Sequence, residues 1–338
     1  MLTEEGLRSC AARVLPADSV LLSSRAPIGH VAINSVPMAT NQGFKSLIPD
    51  RSRIDEKYLY WWLVSNKATL QRLGVGATFK EISKAIVSRV VIPLPPFPEQ
   101  RRIASLLDEV ESIRQARSTA IEHLDLVEAS ILQAMLDRTN GSRSRVKFGE
   151  IVESSQLGLV RSSNDFGAVG EFGYLRMDAI TRSGRVDLRL VQRTDADVNE
   201  LARAELSDGD LLFNTRNSRE LVGKSAVFYG PSKTLFNNNI LRVRFKEYVS
   251  PAYIAAMLHT GDVKSQLEAR KRGTTSVFAV YYRDLASIEL EIPSVMEMDA
   301  FESNVRRVQE IRLASERALT ITEQLKAALH SKAFKGEL

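Results

Sequence analysis

The chain repeats itself once at a distance of nearly 200 residues, and that duplication constrains its fold more than any single motif does. The segment ADSVLLSSRAPIGHVAI from Ala17 matches SDGDLLFNTRNSRELVGKSAVF from Ser207, which sets Arg25 against Arg216. TNQGFKSLI then matches FNNNILRVRF, DEKYLYWWLVSN matches SPAYIAAMLHT, and GVGATFKEIS matches KRGTTSVFAV with Gly76 on Gly273. IPLPPFPEQ matches IPSVMEMDA with Pro93 on Pro293, and EASILQAML matches KAALHSKAF. A shared order of strand, loop, strand, helix, Gly loop, strand and long helix predicts two versions of one domain. The halves differ at their starts: about 45 residues, 146–190, have no counterpart before residue 1, so the first half is expected to be N-terminally incomplete.

The second constraint is two long stretches free of Gly and Pro. In residues 99–138, apolar or small residues fall at Ile103, Leu106, Val110, Ile113, Ala120, Leu124, Val127, Ile131 and Ala134, with Arg117 on the same rhythm. That is heptad spacing, and about 40 residues at 1.5 Å each span roughly 60 Å, which calls for a partner helix. Residues 295–334 supply one, with Phe301, Val305, Val308, Leu319, Leu329, Ala333 and Phe334 and a more polar seam at Arg312, Thr322 and Lys326. Because a domain lies between the two stretches, the helices are expected to run antiparallel. The remaining segments read as short strands punctuated by Gly and Asn, with helices near 57–73 and 251–270. The expected fold is α+β: two duplicated α/β domains, 1–98 and 141–294, separated by long helices at 99–140 and 295–338 that pack as an antiparallel coiled coil.

Composition excludes several functions. No stretch approaches the roughly 18 apolar residues of a membrane span, and MLTEEGLRSCAARVLP is not a secretory leader, so the cytoplasm is expected. The one cysteine, Cys10, and four scattered histidines cannot build a structural zinc site. Gly223-Lys224-Ser225 imitates the end of a phosphate loop, but Ser218 stands where that motif needs its first Gly, so it reads as a loop entering a strand. Pro49-Asp50 lacks the further carboxylate and lysine of a nuclease metal site and reads as a turn. There is no Asn-Pro-Pro-aromatic tetrapeptide and no GxGxxG after a strand, so no methyl donor is expected on this chain. Tyr58, Tyr60, Trp61 and Trp62 suit core packing better than base stacking.

What remains is basic, amide-rich loops, and the chain carries a net charge of +5. Arg216, Asn217, Arg219 and Lys224 form one such loop, Asn238 a second, and Arg270, Lys271, Arg272, Thr274 and Thr275 a third. The first half offers Arg25, Lys45, Thr78 and Lys80 at matching places. Arginine can grip guanine with two hydrogen bonds, asparagine can do the same to adenine, and small polar residues can bind phosphates, so these loops suit groove reading of double-stranded DNA.

At PLPPFPEQRRIASLLDEVESI, a Pro-rich strand exit followed by Glu99, Gln100, Arg101 and the long helix, the sequence resembles the specificity subunit of type I restriction-modification systems; the ending LHSKAFKGEL resembles that family's C-terminus. The resemblance implies two target-recognition domains, each reading half of a bipartite DNA site, on a helical ruler. It also implies two modification (methyltransferase) subunits carrying S-adenosylmethionine, a motor-nuclease restriction subunit that joins them, and no cofactor or catalytic residue on this chain. Docking is expected on Glu99–Arg101 and the helix positions given above. IPSVMEMDAFESNV lacks the Glu-Gln-Arg-Arg of its counterpart, so the two docking surfaces are expected to differ. The rival reading is a truncated or regulatory relative that binds modification subunits, reads one half-site, and self-associates through its intact half.

Overall fold

The computed structural model describes residues 3–10, 12–76, 80–138, 143–167, 169–273 and 276–337. The chain divides into two compact units, Met1–Ala120 with Ser315–Leu338 and Ile121–Ala314. Two long helices, Phe97–Arg138 and Val295–Ala333, each contribute to both.

The first unit is built on an antiparallel sheet in the order Val31–Ile33, Val20–Ser23, Phe44–Leu47. Val20 and Leu22 alternate onto one face and are fully buried beneath the helix Glu56–Ser65. Asp55 caps that helix by accepting from the Lys57 and Tyr58 amides. One side of it, Leu59, Trp62 and Leu63, meets the sheet. The other, Tyr58 and Trp61, packs on Ile103, Ala104 and Leu107 of the first long helix and Ala333 of the second. The aromatic cluster is therefore core. Its polar atoms are satisfied: Trp61 Nε1 donates to Asp108 at 2.8 Å and the Tyr58 hydroxyl to the Pro93 carbonyl at 2.9 Å.

The second unit has a four-stranded antiparallel sheet in the order Ser225–Val227, Leu211–Asn214, Ile240–Phe245, Val152–Leu157. Its first three strands reproduce those of the first unit residue for residue. Val20 faces Ile33 and Leu47 there, and Leu211 faces Val227 and Val243 here. The turns agree as well: Gly29 and Gly223 both take a positive φ, and their amides bond to the carbonyls of Ser23 and Asn214. Gly223-Lys224-Ser225 is thus a turn into a strand. The capped helix recurs as Pro251–Leu258, where buried Tyr253 donates to the Glu291 carbonyl at 2.8 Å, as Tyr58 does to Pro93.

What the second unit adds comes from the stretch without a repeat partner. Val152–Leu157 extends the sheet, and Phe172–Leu175 forms a second small sheet with Thr234–Phe236 and Gln192–Thr194. Their apolar residues, with Leu159, Ile180 and Leu206, close over Leu212, Ala226 and Ile240 on the sheet's other face.

The long helices pack antiparallel within each unit. In the first, Lys326 Nζ meets Glu111 at 2.7 Å and Arg117 Nη1 donates to the Ala318 carbonyl and to Thr322. In the second, Arg312 reaches Ile121, Asp125 and Glu128. The expected seam of the second helix holds at Phe301, Val305, Val308, Arg312, Thr322 and Ala333, all buried, with Leu319, Lys326 and Leu329 half-buried.

The first helix needs a correction. Ile103, Val110 and half-buried Leu124 lie on the expected heptad position, but Ile113 and Val127 are 40% and 43% exposed. The second seam position runs one residue later, through Leu107, Arg114, Ile121, Glu128 and Met135, leaving Leu106 at its margin. Charged side chains hold two of these places, so apolar spacing alone selects the wrong neighbour.

Candidate nucleic-acid interface

At one end of each sheet three loops are tied together by the same hydrogen bonds. In the first unit the Ser24 amide donates to the Gly43 carbonyl at 2.8 Å, and the Ser24 carbonyl accepts from the Ile82 amide at 2.9 Å. In the second the Thr215 amide donates to the Asn239 carbonyl and the Thr215 carbonyl accepts from Val280, each at 2.9 Å. The residue after this knot is Arg25 in one and Arg216 in the other. Arg25 bridges to Glu81, which bridges to Val75. Arg216 pairs with Ala279, which pairs with Arg272, in a three-stranded ribbon. Both arginines are exposed, and neither has a carboxylate partner within 4 Å among the described residues. Each is a rigidly mounted, uncommitted guanidinium, the form suited to bidentate contact with a guanine edge.

Most other sequence candidates have work inside the protein. Arg219 pairs with Glu268 at 2.9 Å, as does Lys271 at 2.7 Å, and Arg272 pairs with Asp284 at 2.9 Å. Arg270 donates to Ser287 and to the Gln266 carbonyl. Lys45 lies between Ser24 and Glu81 at 3.1 Å from each. Lys224 donates to the carbonyls of Met177 and Ile180, and burial pulls its ammonium below the usual lysine range. Asn237 accepts at Oδ1 from the Asn239 amide and donates through Nδ2 to the Tyr174 hydroxyl. That leaves Asn238, half-buried at the mouth of a groove, as the asparagine of this loop to weigh as a reader. Asn217 accepts from the Ser218 amide and keeps its own NH2. Lys80 is exposed beside the first-unit knot. Thr78, Thr274 and Thr275 lie outside the described residues.

The helix and docking candidates divide in the same way. Gln100 is 1% exposed, donating to the Arg53 and Pro95 carbonyls and accepting from the Asp55 amide, so it anchors the first unit and is not offered to a partner. Glu99 pairs with Arg102 at 2.7 Å. Arg101 is exposed over the Phe97 ring. Phe334 packs edge-on against Tyr58.

Two concavities flank the wall formed by Arg216-Asn217 and Asn237–Asn239. One, of about 440 Å³, is lined by Arg216, Asn238, Thr215, Gln156, Tyr281 and Tyr282. Tyr281 and Tyr282 are 52% and 38% exposed, large flat side chains beside an amide and a guanidinium. The other, of about 990 Å³, is lined by Arg161, Arg176, Arg182, Gln192, Asn217 and Lys224, among others. Sequence reasoning passed over these tyrosines, whose counterparts in the repeat are Ser83 and Lys84, and over the three arginines, which come from the unrepeated stretch. Among the described residues no group of three or more His, Cys, Asp or Glu side chains is placed to hold a metal ion. Among the same residues no helix is long and apolar enough to cross a membrane.

Comparison with known proteins agrees with this layout. Residues 1–123 match the family profile of the type I restriction modification DNA specificity domain. The chain is 33% identical over 134 residues to the type I restriction enzyme MjaIX specificity subunit of Methanocaldococcus jannaschii, covering 39% of this chain and 31% of that one. It is 24% identical to the EcoKI specificity subunit of Escherichia coli K12, covering 96% of this chain and 76% of that one. Its fold matches the type I restriction-modification S subunit from M. genitalium with a TM-score of 0.66 at 12% identity, over 95% of this chain and 84% of that one. In sequence over residues 1–123 and in fold over most of its length, the chain is similar to type I restriction-modification DNA specificity subunits.

Proposed function

We propose that this chain reads a bipartite DNA site, one half through each unit, and brings modification subunits to it. The observation that carries the reading is the recurrence of the loop knot with an uncommitted arginine at Arg25 and at Arg216. A duplicated domain that keeps one projecting guanidinium at the same place on the same framework has the parts needed to contact two sets of base edges. The first long helix, of 42 residues, contributes to both readers and ties them into one chain. Two modification subunits bind S-adenosylmethionine and transfer the methyl group, and a restriction subunit joins them for cleavage. The chain itself supplies recognition and no bond-making chemistry.

Methylation mapping of DNA from cells expressing the chain with its cognate modification subunit tests this. Two specified half-sites separated by a fixed gap are expected. A single half-site or a palindrome would overturn the two-reader reading in favour of one working unit, and methylation without sequence preference would overturn recognition altogether.

A further inference from the structure

The larger concavity of the second unit is walled largely by residues that have no repeat partner. Its walls are the unrepeated segment, through Arg161, Arg176 and Arg182, and the loop that ends in Lys224. Four cations line it against one carboxylate, Asp178. Two of the four are fixed parts of the wall: Arg161 is held by both oxygens of Glu200, at 2.7 and 2.8 Å, and Lys224 by backbone carbonyls. The other two are free to turn toward a ligand. Among the described residues the carboxylate beside Arg176 is Asp178, at 3.9 Å. Arg182 touches Glu220 at 3.3 Å, with both side chains more than 70% exposed, a pairing weak enough to be exchanged for a stronger anion. The cleft adjoins the proposed reading wall, sharing Asn217 and Asn237 with it, while Arg216 and Asn238 face the opposite side. A duplex whose base edges meet that wall has a backbone within reach of the cleft, because a major groove is only about 12 Å wide.

We infer that this cleft holds a phosphate-bearing stretch of one DNA strand, with Arg176 and Arg182 as the residues that touch it, so that the second unit grips the backbone through its unrepeated segment. The inference rests on the reading that the chain binds DNA and adds a division of labour: the wall selects sequence, and the cleft contributes affinity that is blind to it. Local charge decides the class of ligand. With Arg161 already paired to Glu200, Arg176, Arg182 and Lys224 still outnumber Asp178 and Glu220, a surplus that suits a polyanion, and a neutral base edge gives no reason to gather them.

The test uses the full chain and two duplexes, one carrying the mapped site and one of mixed sequence, with affinity measured across a salt series. The double substitution R176A/R182A is expected to weaken both duplexes by a similar factor. It is also expected to flatten the dependence of log affinity on log salt by about 0.9 for each phosphate that is no longer neutralised. The preference for the mapped site stays as it was. R307A removes an exposed charge on the second long helix and is expected to leave the slope alone. An unchanged slope in the double variant, the disappearance of site preference, or an equal flattening in R307A would each overturn the assignment. If the wild-type chain binds both duplexes alike, the sequence-reading proposal fails while the backbone grip stands; if it binds neither, both fail.

Discussion

Arg312 of the second long helix donates to Glu128 of the first at 3.0 Å and to Asp125 at 2.9 Å, with its guanidinium only 4% exposed. A buried cation in this partly polar seam is a register device, because sliding either helix takes the guanidinium away from both carboxylates. Among the described residues, R312A leaves half-buried Glu128 with only the Gln309 amide and Asp125 with only Arg185, and is expected to destabilise the second unit by about 3 kcal/mol. The combined variant R312M/E128L, which fills the layer with apolar volume, is expected to recover most of that loss. Urea unfolding of the three proteins checks the order; a double variant no more stable than R312A would mean that the pair has no such role.

Acid should loosen the helix pair of the first unit before that of the second. Arg114 and Lys326 hold the Glu111 carboxyl down to about 2, and burial against Trp61 and Ser65 lowers His330 below the ordinary histidine value. Both folded-state values lie below the unfolded ones, so the stability they contribute is full above about pH 6.5 and is lost as pH falls, first through His330 and then through Glu111. Glu128 goes the other way. Burial raises its carboxyl despite Arg312, so lowering the pH relieves a cost in the second unit. Amide protection, corrected for the intrinsic pH dependence of exchange, is expected to fall between about pH 6.5 and 4 more along residues 315–333 than along 295–314. An equal fall in protection would contradict the assignment.

Arg25 and Arg216 should act on different halves of the recognised site. R216A is expected to cost about 1 to 3 kcal/mol of discrimination in one half-site and R25A a similar amount in the other, each leaving the untouched half as specific as before. Binding to duplexes substituted at single positions resolves this, and a variant that weakens all duplexes evenly would show its arginine touching phosphate instead.

The duplication was legible in the residues because the two sheets share register, so strand matched strand with only loop lengths altered. The seam of the second helix was legible for the opposite reason: its polar members, Arg312, Thr322 and Lys326, sit among enough apolar neighbours to keep the beat. The first helix misled, because Arg114 and Glu128 occupy seam positions while Ile113 and Val127 point outward. For the loops, composition marked the right neighbourhood but could not tell Arg216 from Arg219. That distinction depends on Glu268, which ends the helix Gly261–Glu268 and reaches Arg219 only in the folded chain. The basic cleft escaped notice because Arg161, Arg176 and Arg182 come from the one stretch with no second copy against which to be read.

The matched hydrogen bonds at Ser24 and Thr215 also bear on how such a chain can change. Since the amide and carbonyl of each meet the same partners in the same geometry, a loop cut from one half at these points and spliced into the other would meet the bonds it left behind. Recombination between the halves, or with a sister chain, could then exchange one specificity for another while the framework beneath stayed folded.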